Sequence, residues 1–218
     1  MRPEIARVDP ENPDVPVMRR AARLILAGEV LVCPTDTGYA FGANALDETA
    51  VKKVFDLKGR SFNNPIHITV SSLDEAARYA EVTGTARKLG RRFLPGALTL
   101  VLKKRANVPS LLVAGRDTIG IRVPANRVIL DLAAMSGAPV TSTSANRSGQ
   151  PTPYTVEEVV AQLGEDADKP ALFLDQGELA SHALSTIVDL TVSPPALIRS
   201  GLITWEAILQ ALNENEVR

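Results

Sequence analysis

The residues of this sequence that could do chemistry are mostly hydroxyls, amides and cations, gathered in five short segments. Pro34-Thr-Asp-Thr-Gly-Tyr39 sets two hydroxyls, Thr35 and Thr37, beside a flexible Gly38 just after an apolar run. At the carboxyl end of a buried strand, where open α/β sheets hold ligands, they could grip a small polar molecule. Read alone, the segment is first a Thr/Asp/Gly turn. Lys58-Gly-Arg60, followed by Asn63-Asn64-Pro65, puts two cations two residues apart, able to face one anion if Gly59 turns the chain. A solvated helix end whose cations offset the helix dipole fits equally well. In Arg116-Asp-Thr-Ile-Gly-Ile-Arg-Val-Pro124, alternation places Thr118, Gly120 and Arg122 on one face and Ile119, Ile121 and Val123 on the other. A binding surface and a solvated sheet face both satisfy that pattern. Thr141-Ser-Thr-Ser-Ala-Asn146 and Arg147-Ser-Gly-Gln-Pro-Thr152 crowd small donors into a loop without bulky groups, which suits close approach to phosphate or ribose. Ser185-Thr-Ile-Val-Asp189 and Arg199-Ser-Gly201 are weaker signals, since a strand serine is usually structural and a single arginine usually lies on the surface.

Other chemistries leave no trace. There is no G-x-x-x-x-G-K-[ST] loop, no G-x-G-x-x-G turn and no G-x-S-x-G elbow. One cysteine forms no internal disulfide, no C-x-x-C pair is present, and two well-separated histidines make no metal cluster. Cys33 at a strand end reads as a small buried hydrophobe before it reads as a nucleophile. What remains is catalysis by positioning and charge stabilisation. Cysteine usage suggests a reducing, cytoplasmic compartment. The N-terminus lacks a secretory pattern, and no stretch approaches ~18 apolar residues, so a membrane partner is not expected.

The elements that must position these segments follow from periodicity and caps. The spacing predicts helices over 17–27, 47–57, 72–80, 85–93, 127–135, 155–163 and 204–212. Strands are expected over 29–33, 66–70, 97–102, 118–123, 138–143, 171–174, 185–190 and 196–199. Their irregular alternation, with some neighbouring strands, implies an α/β fold with a twisted mixed β-sheet flanked by helices. Residues 1–16 read as an irregular arm, 17–212 as one domain and 213–218 as a tail. The formal net charge of −1 conceals a split: 51–130 holds 15 Lys and Arg against 5 Asp and Glu, a local balance of +10 between acidic flanks. An anionic partner for the middle is expected.

Taken together and in this order, Pro-Thr-Asp-Thr at 34–37, Lys58-Gly-Arg60, Asp-Thr-Ile-Gly-Ile-Arg-Val-Pro at 117–124, Ser144-Ala-Asn146 with Ser148-Gly149, and Ser185-Thr-Ile-Val-Asp189 with Arg199 resemble the YrdC/TsaC family of threonylcarbamoyl-AMP synthases, in its short, single-domain form. The resemblance implies a YrdC-like fold with a large concave basic site. It implies ATP, L-threonine and bicarbonate as substrates, threonylcarbamoyl-AMP and pyrophosphate as products, and Mg²⁺ accompanying ATP. Partner proteins of a threonylcarbamoyl-transferase complex would then modify tRNA. By the same resemblance Lys58 and Arg60 are catalytic. Thr37, Thr69, Arg122, Ser142 and Ser185 contact threonine or its carbamoyl group. Arg60, Asn64, Thr118, Ser144, Asn146, Thr152 and Arg199 contact the nucleotide. Two positions depart from the family pattern. Ser61 replaces a usual proline, and Thr69 stands where many members carry a threonine-contacting histidine, the nearest imidazole here being His67. The competing expectation is a double-stranded RNA or tRNA-binding module of the same fold without synthase activity, with the basic middle as its phosphate footprint.

Overall fold

Caps and apolar spacing fix where this chain becomes regular. The computed structural model describes residues 3–180 and 183–214. In chain order its first half contains β1 (Ile5–Arg7), α1 (Val15–Leu26), β2 (Leu31–Cys33), β3 (Ala40–Gly42), α2 (Glu48–Lys58), β4 (His67–Thr69), α3 (Leu73–Ala76), α4 (Gly84–Phe93) and β5 (Leu98–Lys103). The second half contains β6 (Thr118–Arg122), α5 (Arg127–Ser136), β7 (Val140–Ser144), α6 (Val156–Leu163), β8 (Leu172–Asp175), β9 (Thr186–Asp189), β10 (Ala196–Arg199) and α7 (Trp205–Asn213). Asp47 starts α2 by accepting from the Thr49 and Ala50 amides, and Gly59 ends it in the left-handed region. Thr155 and Glu158 form a reciprocal capping box at α6.

The strands build one ten-stranded sheet in the order β1-β8-β2-β3-β7-β4-β6-β5-β9-β10. Parallel and antiparallel neighbours mix: β8 pairs parallel with β1 and β2, whereas β7 runs antiparallel to both β3 and β4. Period-two alternation gives the sheet two apolar faces. Leu31, Cys33, Val140, Leu172 and Leu174 pack under α1 and α5. Val32, Phe41, Ile68, Leu100 and Phe173 join the core beneath α2, α4, α6 and α7. Burial pushes the Cys33 thiol up to about 12, as suits a small core hydrophobe. No helix among the described residues is long and apolar enough to cross a membrane.

Two strands escape the sequence pattern. Residues 5–7, expected in an irregular arm, form β1 on the sheet edge, tied to β8 by an Arg7–Asp175 ion pair at 2.7 Å. β3 is absent from the strands that the spacing predicts. Its three residues are too few to show a period, and Gly42 lowers strand propensity. That glycine sits in a crowded place, because a Cβ there would lie 3.0 Å from Val140 Cγ1 and 3.1 Å from Cys33 Sγ, and both neighbours would have to give way by a few tenths of an ångström. α3 is one turn, shorter than the 72–80 helix expected. Of the expected tail, Asn213 ends α7 and 215–218 lie outside the described residues.

Candidate functional site

The sheet's mixed order brings distant segments to one cavity of about 700 Å³, open mouth included. Thr35, Thr37 and Gly38 come from the loop after β2, and Arg60 from the turn after α2. His67 belongs to β4, Thr99 to β5, Arg122 to β6, and Ser142 and Ser144 to β7. Thr152, Ser185 and Arg199 complete the wall.

The 35–38 loop holds itself. The Thr35 hydroxyl donates to Gly38 O at 2.6 Å, and the Thr37 amide donates to Thr35 Oγ1 at 3.1 Å. A Cβ on Gly38 would come within 2.3 Å of Thr152 Cγ2, so only glycine lets these two loops meet.

Three guanidiniums converge on the cavity, each braced from one side. Arg60 donates to Asn64 O at 3.2 Å and Pro65 O at 3.1 Å. Arg199 donates to Ser185 O at 2.8 and 3.1 Å and to Ser185 Oγ at 2.9 Å. Arg122 is 7% exposed and donates to Asp36 Oδ1 at 2.5 Å, while Asp36 Oδ2 accepts from the Ala125 amide at 3.1 Å. Burial lowers the basicity of all three. At Arg122 the Asp36 carboxylate opposes that shift and Arg199 adds to it. All remain cations, since Arg does not deprotonate in proteins. Arg122 Nε is buried without a hydrogen-bond partner among the described residues.

His67 sits half-buried among these cations, its ring filling the space over Gly120 of β6. A Cβ on Gly120 would lie 2.4 Å from His67 Cδ2. Burial, then the charges of Arg199, Arg60 and Arg122, pull the imidazole down to about 4, so it is neutral at pH 7.

Lys58 faces the other way. It is 2% exposed and does not line the cavity. Its three donors go to Ser144 O at 2.5 Å, Asn146 O at 3.1 Å and Asn146 Oδ1 at 2.7 Å. Burial, with Arg60 adding repulsion, brings its ammonium down to about 7. Ser144 Oγ also donates to Asn146 Oδ1 at 2.6 Å, Asn146 Nδ2 donates to Gln150 O at 2.5 Å, and the Ser148 amide donates to Lys58 O at 2.8 Å. These bonds clasp the 144–150 loop to the end of α2.

Of the residues singled out in the sequence, the cavity wall brings together Thr37, Arg60, Arg122, Ser142, Ser144, Thr152, Ser185 and Arg199. Lys58 and Asn146 stand behind the wall, in the clasp. Asn64 is exposed and touches the site through its carbonyl on Arg60. Thr118 begins β6 opposite Lys103, four residues from Arg122 and thus roughly 13 Å along the strand, away from the cavity. Thr69 pairs in register with Arg122, buried, its hydroxyl without a partner among the described residues. Position 69 carries no imidazole, and the nearest one stands at 67. Alternation gives 67 and 69 the same face, so His67 occupies the wall. Thr99, whose hydroxyl lies 3.1 Å from Ser185 Oγ, went unnoticed because a strand threonine carries no signal of its own.

Fold and site together define an α/β protein with a cationic, hydroxyl-rich cavity suited to anionic ligands. The model of the Sua5/YciO/YrdC family, described as telomere recombination, matches residues 23–201, and the chain belongs to that family. It is 39% identical over 198 residues to a threonylcarbamoyl-AMP synthase of Pyrococcus abyssi, covering 90% of this chain and 57% of that protein. A putative threonylcarbamoyl-AMP synthase of Methanocaldococcus jannaschii is 39% identical over 179 residues, covering 82% of this chain and 83% of that one. The crystal structure of P. abyssi Sua5 complexed with L-threonine superposes with a TM-score of 0.90 at 38% identity, covering 96% of this chain and 61% of that chain. The chain therefore spans less than two thirds of the P. abyssi proteins it matches.

Proposed function

We propose that this chain is an L-threonylcarbamoyladenylate synthase, converting ATP, L-threonine and bicarbonate to threonylcarbamoyl-AMP and pyrophosphate. The observation that carries the reading is three guanidiniums and a set of hydroxyls facing one cavity whose described lining holds no Asp or Glu. Such a wall favours several anionic groups at once: phosphates, a carboxylate and bicarbonate. The names of the relatives above support the same reaction.

In this proposal the threonine amine captures bicarbonate as a carbamate. A carbamate oxygen attacks the α-phosphorus, and the bond from that phosphorus to the bridging oxygen breaks to release pyrophosphate. The protein supplies no nucleophile. Arg60 and Arg199 offset phosphate charge, and Arg122, aligned by Asp36, takes the threonine carboxylate. Thr37, Ser142 and Ser185 orient the amine and carbamoyl group, while Ser144 and Thr152 meet the nucleotide. Lys58 and Asn146 act by setting the 144–150 loop. The described wall offers no carboxylate cage for Mg²⁺, which prefers anionic oxygen ligands, so these residues do not fit a resident magnesium. A magnesium arriving with ATP would be carried by the phosphates. Product would pass to partner proteins that transfer the threonylcarbamoyl group to tRNA.

The test is pyrophosphate release from ATP. It should require both threonine and bicarbonate, and Arg60→Ala should slow it by about 10²–10³. Equal ATP turnover without threonine would exclude the reaction.

A further inference from the structure

We infer that His67 accepts the proton released when the substrate amine captures bicarbonate, and that it does so only once phosphate charge lies among Arg60, Arg122 and Arg199. The inference rests on the synthase reading. Joining an ammonium to bicarbonate forms the N–C bond of the carbamate, expels the bicarbonate hydroxyl oxygen as water and liberates one proton. With a neutral imidazole present, R–NH₃⁺, HCO₃⁻ and His become R–NH–COO⁻, H₂O and HisH⁺, balanced in atoms and charge. The proton needs an acceptor at the cavity wall.

His67 is the imidazole described there, on β4 between Ser142 of β7 and Gly120 of β6. Gly120 leaves the space the ring fills. The charged groups acting on it are Arg60 after α2, Arg122 of β6 and Arg199 of β10. Asp36, the carboxylate beside them, is engaged by Arg122, and the β7 wall contributes uncharged hydroxyls. Without an anion, burial first and then the three cations hold the ring neutral and make it a poor base, at about 4. A polyphosphate among the same guanidiniums screens the cationic part of that shift, and the ring becomes a better base while the part due to burial stays. The amine is thus carboxylated when ATP is already in place to trap the short-lived carbamate.

Two measurements test this. In an NMR titration of the His67 ring, assigned by its loss in His67→Gln, saturating inorganic pyrophosphate should raise the midpoint by at least about one pH unit. An unchanged midpoint, or no pyrophosphate binding by calorimetry, overturns the proposal. In the synthase assay, His67→Gln should keep threonine affinity within about threefold, lose about 10²-fold in kcat, lose the acidic limb of the kcat profile and recover partly with added imidazole. Full kcat in His67→Gln would refute the proton role and leave the synthase reading standing. A wild-type protein that releases no pyrophosphate with all three substrates would remove the synthase reading and the proton role together.

Discussion

Lys58 and Arg60 are two residues apart in sequence and meet opposite fates. Lys58 turns inward, gives all three donors to Ser144 and Asn146, and is sealed from solvent. Arg60 turns outward, is held on one edge by two carbonyls and lines the cavity. Gly59, in the left-handed region between them, makes the divergence possible. The contrast extends to their surroundings. Around Lys58 the polar groups satisfy one another, whereas in the cavity that Arg60 lines Arg122 Nε is buried without a hydrogen-bond partner among the described residues, as is Thr69 Oγ1 on the strand paired with Arg122. A clasp that is internally complete positions; a cage that is internally incomplete binds. Motif residues that look alike in sequence therefore divide by how much of their bonding the fold has already used.

The strongest way to break this division is Arg122→Ala. In the cage it should cut pyrophosphate release by about 10²–10³. It also strands the Asp36 carboxylate, whose side chain is 14% exposed, for a stability loss of about 3 kcal/mol in urea unfolding. A variant with normal turnover would place the carboxylate-binding group elsewhere.

Lys58→Met sharpens the comparison from the clasp side. Ser144 O, Asn146 O and Asn146 Oδ1 lose a donor together, and stability should fall by about 2–3 kcal/mol. Activity should fall with it. Arg60→Ala, by contrast, should depress activity while moving the urea midpoint by less than about 1 kcal/mol, since its lost bonds lie at an open wall. If both variants move stability alike, clasp and cage are one unit.

Gly120→Ala probes the fit of His67 on β6. An added Cβ overlaps the ring edge, and the cost should be about 1–3 kcal/mol. In a His67→Ala background most of that cost should vanish, which a double-mutant cycle reads directly.

The depressed basicity of His67 also predicts a pH dependence of stability. An exposed imidazole titrates at 6.5 and the folded one at about 4. Between those values the unfolded chain binds the proton and the folded chain does not. Stability contributed by the neutral ring is therefore complete above 6.5 and is lost as pH falls toward 4, with a limiting slope of about 1.4 kcal/mol per unit. His67→Gln should remove that slope in denaturant melts run across the window. An unchanged slope would mean that carboxylates alone set the acid limb.

Much of this arrangement was legible in the residues themselves. Asp47 and Thr155 announced their helices because caps are local, and the alternation at 118–123 placed Arg122 and Gly120 on one face because strand period is local too. The eight wall residues from Thr37 to Arg199 were readable as motifs. What escaped depends on contacts distant in the chain. β1 exists because β8 offers it an edge 168 residues away, and β3 because β2 and β7 flank it. Lys58 and Arg60 could not be told apart by spacing, since their division is set by where Ser144 and Asn146 arrive. The imidazole at 67 could be read from the sequence only as the one nearest to position 69, and it takes the strand's alternation, in which a shift of two keeps a side chain on its face, to put it on the wall.

Thr69→Val asks the smallest question about the cage. Its hydroxyl is buried opposite Arg122 in the β4–β6 register and finds no partner among the described residues. Replacing an unsatisfied hydroxyl with a methyl of similar shape removes a desolvation cost, so Thr69→Val should be neutral or more stable by up to about 1 kcal/mol. Substrate should make the difference visible. If the hydroxyl serves a ligand, the variant gains stability alone and loses it relative to wild type once threonine is added, a reversal that thermal melts with and without threonine would show. If the order is the same in both, Thr69 belongs with the clasp, a packed strand residue behind the wall, and threonine is held by Arg122 and the hydroxyls that line the cavity.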